Sequence, residues 1–353
     1  MDFEFWIGKR DSASDLNGID PKSDIRKPKS RTYYIPGLLF FMDIPVIHPK
    51  ALKPRDTVAI IAPAGPIDQR DDFFRGVATL ERMGFRVRFD DRIFHSTRYL
   101  AGPDEERAEE VMRAFEDSDI QAIVSLRGGF GCSRLIPLIK PGRMRNHCKI
   151  FMGFSDLTTL HLYFRRRFGW LTFHGPMATS PALGNAKPEQ EQHLLKLWTD
   201  PSYLPSLAFA ELQTWVSGSA EGELVGGCLS LIVASLRTPY EIATEGKILF
   251  LEDLGEPPYR IDRMLTQLRL ARKLDHIAGI LLGNFLDADP PDQGGTADEA
   301  LRDVLGRLEV PVLAHFPSGH GSDNWALPLG TRVRIDAGGG RVEFLEHAVV
   351  AGR

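Results

Sequence analysis

QAIVSLRGGFG (121–131) and KIFMGFSD (149–156) share one pattern: an unbroken apolar run of strand length that reaches glycine and gives way to helical spacing. Strands that read as continuous hydrophobic runs are buried on both faces, as in a parallel sheet covered by helices. The pattern extends backwards. TVAIIAP (57–63) is another such run, and 69–83 is amphipathic with Phe73, Val77, Leu80 and Met83 on one face. Gly84 stops that helix, 85–89 alternates like a strand, and 104–115 is helical again with acidic residues in its first turn, where the helix dipole favours them. The reading is an α/β fold, whose sites lie beyond the carboxyl ends of the strands.

Towards the carboxyl terminus the regularity fails between 181 and 221, apart from a helical piece at 190–198, and then resumes. Residues 226–236 read as helix, KILFLED (247–253) as strand, 260–271 as helix, HIAGILLGNF (276–285) as strand, 297–308 as helix and VPVLAHF (310–316) as strand. Two short alternating runs within 332–343 predict a closing hairpin. The expected organisation is a tail over 1–49, an α/β domain over 50–185, a linker over 186–220 and a second α/β domain over 221–350. In the tail, 11–29 is polar, charged and aperiodic, which reads either as disorder or as sequence upstream of a true start at Met42; residues 1–41 are expected to be dispensable.

Composition narrows the class. Of 353 residues 43% are hydrophobic and 25% charged, enough to bury a sizeable core. The 43 basic and 47 acidic residues leave a net charge of −4, which argues against a dedicated nucleic-acid surface. Cys132, Cys148 and Cys228 form no C-x-x-C pair, which fits a reducing compartment and hence the cytoplasm. The longest apolar stretch, 33–47, is broken by Pro36, Asp43 and Pro45, so no membrane association is expected.

Four constellations carry candidate chemistry. In Gly153-Phe154-Ser155-Asp156 a strand passes into a helix through one residue, which suits a nucleophile elbow; serine there more often simply caps the helix, and the hydrolase G-x-S-x-G pattern is not matched. Arg127-Gly128-Gly129-Phe130-Gly131 is either an anion cradle, one wall of an oxyanion hole, or a plain strand-to-helix turn. Glu252, at the end of an apolar strand, suits the orienting carboxylate of a triad, with Asp253 and Glu256 as competitors. His320 lies between two glycines in PSGHG (317–321), past a strand and off any regular apolar face. A metal site drawn from His315, His320 and Asp323 is the alternative, but no metal-binding helix or other His/Cys cluster supports it.

Taken in order, IAPAGP (61–66), RYLAG (98–102), IVSLRGGFG (123–131), MGFSD (152–156), FHGPM (173–177), GELVGGCLS (222–230), GKILFLEDLGEPPYRIDRMLTQL (246–268) and FPSGHGSDNWALPLG (316–330) resemble the LD-carboxypeptidase family, which includes the microcin-immunity peptidases. The resemblance spans about residues 50–345. It implies a flavodoxin-like parallel-sheet N-terminal domain, a second α/β domain with a small β-barrel, and a homodimer. It implies a triad of Ser155, Glu252 and His320, oxyanion donors in the backbone N–H groups of Asp156 and Gly129, and no cofactor or metal. The implied substrate is a small peptide, murein tetrapeptide, which loses its terminal D-alanine in peptidoglycan recycling. Cys228 departs from the asparagine usual in the family at that position. Two other readings stand beside it: a microcin-immunity-type peptidase acting on a peptide–nucleotide, with an aromatic side chain from the 198–215 region against the base, and a catalytically silent protein that binds a small anion.

Overall fold

The computed structural model describes residues 44–290 and 295–352, so the expectations for 1–41 lie outside the described residues. The first half runs β1 (Thr57–Ile61), α1 (Arg70–Arg82), β2 (Arg86–Arg88), α2 (Asp104–Glu116), β3 (Ala122–Ser125), α3 (Cys132–Leu135), α4 (Pro141–Met144), β4 (Ile150–Gly153), α5 (Thr158–Phe168) and β5 (Thr172–His174). Next come α6 (Pro181–Gly184), α7 (Pro188–Thr199), β6 (Ser206–Leu207), β7 (Gln213–Val216), β8 (Ser219–Cys228) and α8 (Leu229–Ala234). The remainder is β9 (Ile248–Leu254), α9 (Pro258–Leu270), β10 (Gly279–Leu286), α10 (Ala297–Leu305), β11 (Val312–Ala314), β12 (Leu327–Leu329), β13 (Arg332–Asp336) and β14 (Arg341–Phe344).

These strands form two sheets. The first has the order β12-β5-β4-β3-β1-β2; it is parallel except for β12, which pairs antiparallel with β5. All of β1, β3 and β4 is buried, because α2 and α5 cover one face while α1 and α7 cover the other. The second sheet, β6-β14-β13-β8-β9-β10-β11-β7, is mixed, with β8 to β11 parallel. It curls into a half-barrel, in keeping with the small β-barrel expected of the second domain.

Three expectations are corrected. Residues 44–49, assigned to the tail, belong to the fold: Ile47 N–H donates to Gly169 O (2.7 Å), and Pro49 O accepts from Val350 N–H (2.9 Å). Residues 186–220 carry α7, β6 and β7, and both strands occupy edges of the second sheet. Residues 226–228, read as the start of a helix, are the end of β8. Gly226 has φ +141° and lies so close to β9 that a Cβ would come within 2.7 Å of the Phe250 carbonyl carbon. The two glycines there serve close strand approach, and the helix begins only at Leu229.

Candidate active site

β4 ends at Gly153, where a Cβ would press within 2.8 Å of Leu157, and the chain turns sharply at Ser155. Ser155 has φ +61°, left-handed backbone that a residue with a Cβ adopts only at some cost, and a 3₁₀ turn over Ser155–Leu157 leads into α5. Its hydroxyl caps neither that turn nor α5 and makes no hydrogen bond among the described residues. The helix-cap alternative therefore does not account for it. The residue is half-buried, and its hydroxyl belongs to a cavity of about 440 Å³.

The RGGFG turn packs directly against this serine. A Cβ on Gly128 would lie 2.9 Å from Ser155 Oγ and 3.6 Å from Asp156 N, so only glycine fits. Gly129 follows at φ +105°. The N–H groups of Gly129 and Asp156 find no protein acceptor among the described residues. The Asp156 carboxylate, missed in the sequence, fixes this arrangement: it is buried and accepts the Cys132 N–H at 2.8 Å, tying the far end of the glycine turn to the elbow. Burial pushes its pKa up, against the backbone hydrogen bonds and the charge of Arg107.

Glu252 and His320 come from the second sheet. Glu252, near the end of β9, is fully buried; its Oε2 bonds His320 Nδ1 at 2.7 Å. Gly319 makes the approach possible, at φ +118° with its missing Cβ only 2.6 Å from that oxygen. The imidazole packs edge-on against Phe154, with centroids 4.8 Å apart, and lines the same cavity as Ser155. Burial alone lowers the His320 pKa, but the hydrogen bond and charge of Glu252, aided by Asp253, outweigh it and the net shift is upward. Burial raises the Glu252 carboxyl, and the imidazole opposes that shift.

The competing residues point elsewhere. Asp253, one pleat on, is taken up by Ser230 N–H (2.7 Å), Leu254 N–H (2.8 Å) and the Cys228 thiol (3.4 Å). Glu256 lies 3.5 Å from Arg260. His315 sits 3.1 Å from Asp298, and Asp323 binds Lys187 and Gln190, so the three residues of the metal alternative do not converge; no group of three potential ligands occurs among the described residues. Cys228 lines the cavity, its thiol driven well above the ordinary range by burial and by the charges of Glu252 and Asp253. Trp198 is fully buried in the core and Trp215 packs on Arg302 and His315; neither lines the cavity. His174, also missed, is buried against Phe154 and Phe250 with neither ring nitrogen partnered, and burial holds it neutral. A larger cavity of about 570 Å³ between β2 and α2 contains no serine or cysteine, and the three arginines lining it pair with neighbouring carboxylates, Arg92 with Glu110, Arg88 with Asp117 and Arg113 with Glu109.

A hydroxyl at a strained turn, two N–H groups without an acceptor among the described residues on the adjoining turns and a carboxylate-held imidazole on the same cavity are parts that acyl transfer can use. Comparisons with known proteins point to one peptidase family. The LD-carboxypeptidase N-terminal domain model matches residues 58–175 and its C-terminal domain model residues 221–335. A probable murein peptide carboxypeptidase of Bacillus subtilis is 38% identical over 291 residues, covering 82% of this chain and 91% of that one. The murein tetrapeptide carboxypeptidase of Pseudomonas aeruginosa is 34% identical over 280 residues, covering 77% and 91%. Among solved structures, the wild-type apo form of the microcin C7 self-immunity protein MccF, which Escherichia coli encodes, superposes with a TM-score of 0.80 at 25% identity, covering 86% of this chain and all of that one. With both domain models matched and relatives above 30% identity along most of its length, the chain belongs to the LD-carboxypeptidase family.

Proposed function

We propose that this chain is a serine-type LD-carboxypeptidase that removes the terminal D-alanine from murein tetrapeptide. The observation that carries the reading is the 2.7 Å Glu252–His320 hydrogen bond on the cavity that also holds the unpartnered Ser155 hydroxyl. Ser155 Oγ attacks the carbonyl carbon of the residue before D-alanine, and its proton passes to His320 Nε2. The oxygen that gains charge is held by the N–H groups of Asp156 and Gly129. Collapse breaks the C–N bond, and the proton on His320 goes to the leaving amine, giving free D-alanine and an acyl-serine. Water, deprotonated by the same imidazole, then releases the tripeptide and restores the serine. Glu252 holds the imidazole with Nδ1 protonated and offsets its positive charge while it carries the extra proton.

Incubation with murein tetrapeptide should yield tripeptide and D-alanine by mass spectrometry, while tripeptide should remain intact; an unchanged tetrapeptide sinks the proposal. A fluorophosphonate that labels Ser155 separates the enzyme from a silent anion-binding protein. The microcin-immunity reading gains nothing from Trp198 or Trp215, since neither reaches the cavity. We further infer two domains, 50–185 with the nucleophile and 221–350 with Glu252 and His320, a homodimer, and a cytoplasmic setting in keeping with three free thiols. Light scattering of the purified protein tests the dimer.

A further inference from the structure

We propose that Arg127 binds the α-carboxylate of the residue being released, and so makes the enzyme an exopeptidase. The assignment rests on the substrate reading above and deepens it. An enzyme that removes one terminal residue has to distinguish a chain end from an internal bond, and the distinguishing group is the free carboxylate. Three covalent bonds separate that carboxylate carbon from the scissile carbonyl carbon, a reach of about 4 Å. Its binder must therefore flank the nucleophile and the oxyanion donors.

Arg127 does so. It immediately precedes Gly128, whose Cα packs against Ser155, and it lines the same cavity. Its side chain is positioned beforehand. Nη1 donates to Pro66 O (3.1 Å) and pairs with Asp68, while the stem and Nε pass over Gly65, where a Cβ would lie 3.5 Å from Nε. The loop 63–68 is itself fixed to the glycine turn by the Gly65 N–H donating to Gly128 O at 3.0 Å. Those contacts use one corner of the guanidinium. Nε and Nη2 have no partner among the described residues, and this Nε–Nη2 edge is the fork that binds a carboxylate through two parallel N–H···O bonds. Asp68 does not cancel the charge, because it is two-thirds exposed and screened by water.

The rest of the cavity makes the assignment directional. Among the described residues, Arg127 is the only basic side chain besides His320 that lines it, and it follows β3 of the first sheet. The second sheet contributes Asp253 and Glu256. A carboxylate is repelled from that side, whereas an ammonium group on the body of the peptide is attracted to it. One orientation results, with the leaving residue towards Arg127.

The test compares murein tetrapeptide as free acid and as C-terminal amide, which differ only in the charge that Arg127 would read. The native enzyme should prefer the acid by about 10- to 100-fold in kcat/KM, the range of a charge-assisted pair. In Arg127→Gln the ratio should fall to within about threefold of unity, and Arg127→Lys, which keeps charge but loses the fork, should be intermediate. A native-like acid preference in Arg127→Gln overturns the assignment while the substrate reading stands. A native enzyme that hydrolyses neither peptide overturns the substrate reading instead. Calorimetry in the Ser155→Ala background then decides the Arg127 question without turnover: equal binding of acid and amide, or binding of neither, sinks it. Loss of that discrimination in Ser155→Ala/Arg127→Gln supports it. Circular dichroism of each variant separates misfolding from loss of recognition.

Discussion

Ser155 holds a left-handed backbone that costs on the order of 1–3 kcal/mol, and that strain lifts its hydroxyl clear of capping bonds and into the cavity. Ser155→Ala should fold normally and lose about 10⁴-fold or more in kcat on murein tetrapeptide; comparable turnover in a clean preparation would falsify the mechanism. Glu252 and Asp253 make a sharper contrast. Neighbours on a strand face opposite ways, and only Glu252 faces the imidazole while Asp253 serves the start of α8. Glu252→Gln should cost about 10²–10⁴ in kcat with little change in KM, and Asp253→Asn far less. The pH profile follows with its sign. His320 is a base only when neutral, and its pKa is raised above the ordinary 6.5, so kcat/KM should fall with acid on a limb centred above 6.5. In Glu252→Gln that limb should move to lower pH, because the group that raised the pKa is weakened; an unmoved limb counts against the pairing. Much of this was legible in sequence, since strand ends and glycine contexts mark where a site sits. Whether Ser155 caps the helix was not legible, because a cap and an elbow both put serine between a strand and a helix; φ and the hydroxyl's lack of partners rule out the cap. Nor was the role of Asp156, whose partner lies 24 residues away.

Helices with clear apolar spacing and strands with continuous apolar runs fell where the sequence placed them, within a residue or two for α1, α2, β3 and β9. What escaped were elements whose residues answer to something other than their own periodicity. β8 looks unlike a strand because Gly222, Gly226 and Gly227 punctuate it. Those glycines are set by neighbours: a Cβ at 227 would meet Thr158 Oγ1 at 2.6 Å, and one at 226 the backbone of β9. β6 and β7, two and four residues long at sheet edges with only Leu207 buried, carry too little hydrophobic signal to register. Gly226→Ala should therefore be severe. It combines φ +141° with a collision against backbone, which has no rotamer to yield, and should cost more than about 2 kcal/mol and several degrees in Tm. Gly246→Ala is the control: it also has positive φ, but nothing lies within 4 Å of the added methyl. A melting point for Gly226→Ala no lower than that of the control would refute the close-approach account of β8.

At the scale of the molecule, the two sheets are locked together at several places, and the site depends on the lock. The segment carrying His320 runs from β11 in the second sheet to β12, which closes the edge of the first by pairing Leu327 with His174. α5 starts at Thr158, whose Oγ1 accepts the Cys228 N–H at 3.1 Å, and buries Leu162 in the core of the second half. Further along α5, Arg165 grips Glu223 of β8 through two bonds of 2.7 and 2.9 Å, and Lys247 adds a third at 3.0 Å. None of these ties could be read from the sequence, because each joins residues far apart in the chain and the local pattern records only that each is part of a helix, strand or loop. Their consequence is thermodynamic. Two sheets joined only by a flexible connection would unfold one at a time, whereas sheets tied by a strand that crosses from the second half to the edge of the first, a helix face and a charged network expose each other's cores when either opens. Urea unfolding should therefore appear as one transition, with coincident midpoints by far-ultraviolet circular dichroism, tryptophan fluorescence and loss of peptidase activity. Glu223→Gln weakens one tie and should lower that common midpoint without splitting it. Activity lost at distinctly lower urea than secondary structure, or a two-step curve in the native protein, would mean that the halves open independently and that the catalytic parts are aligned by a weaker contact than this network.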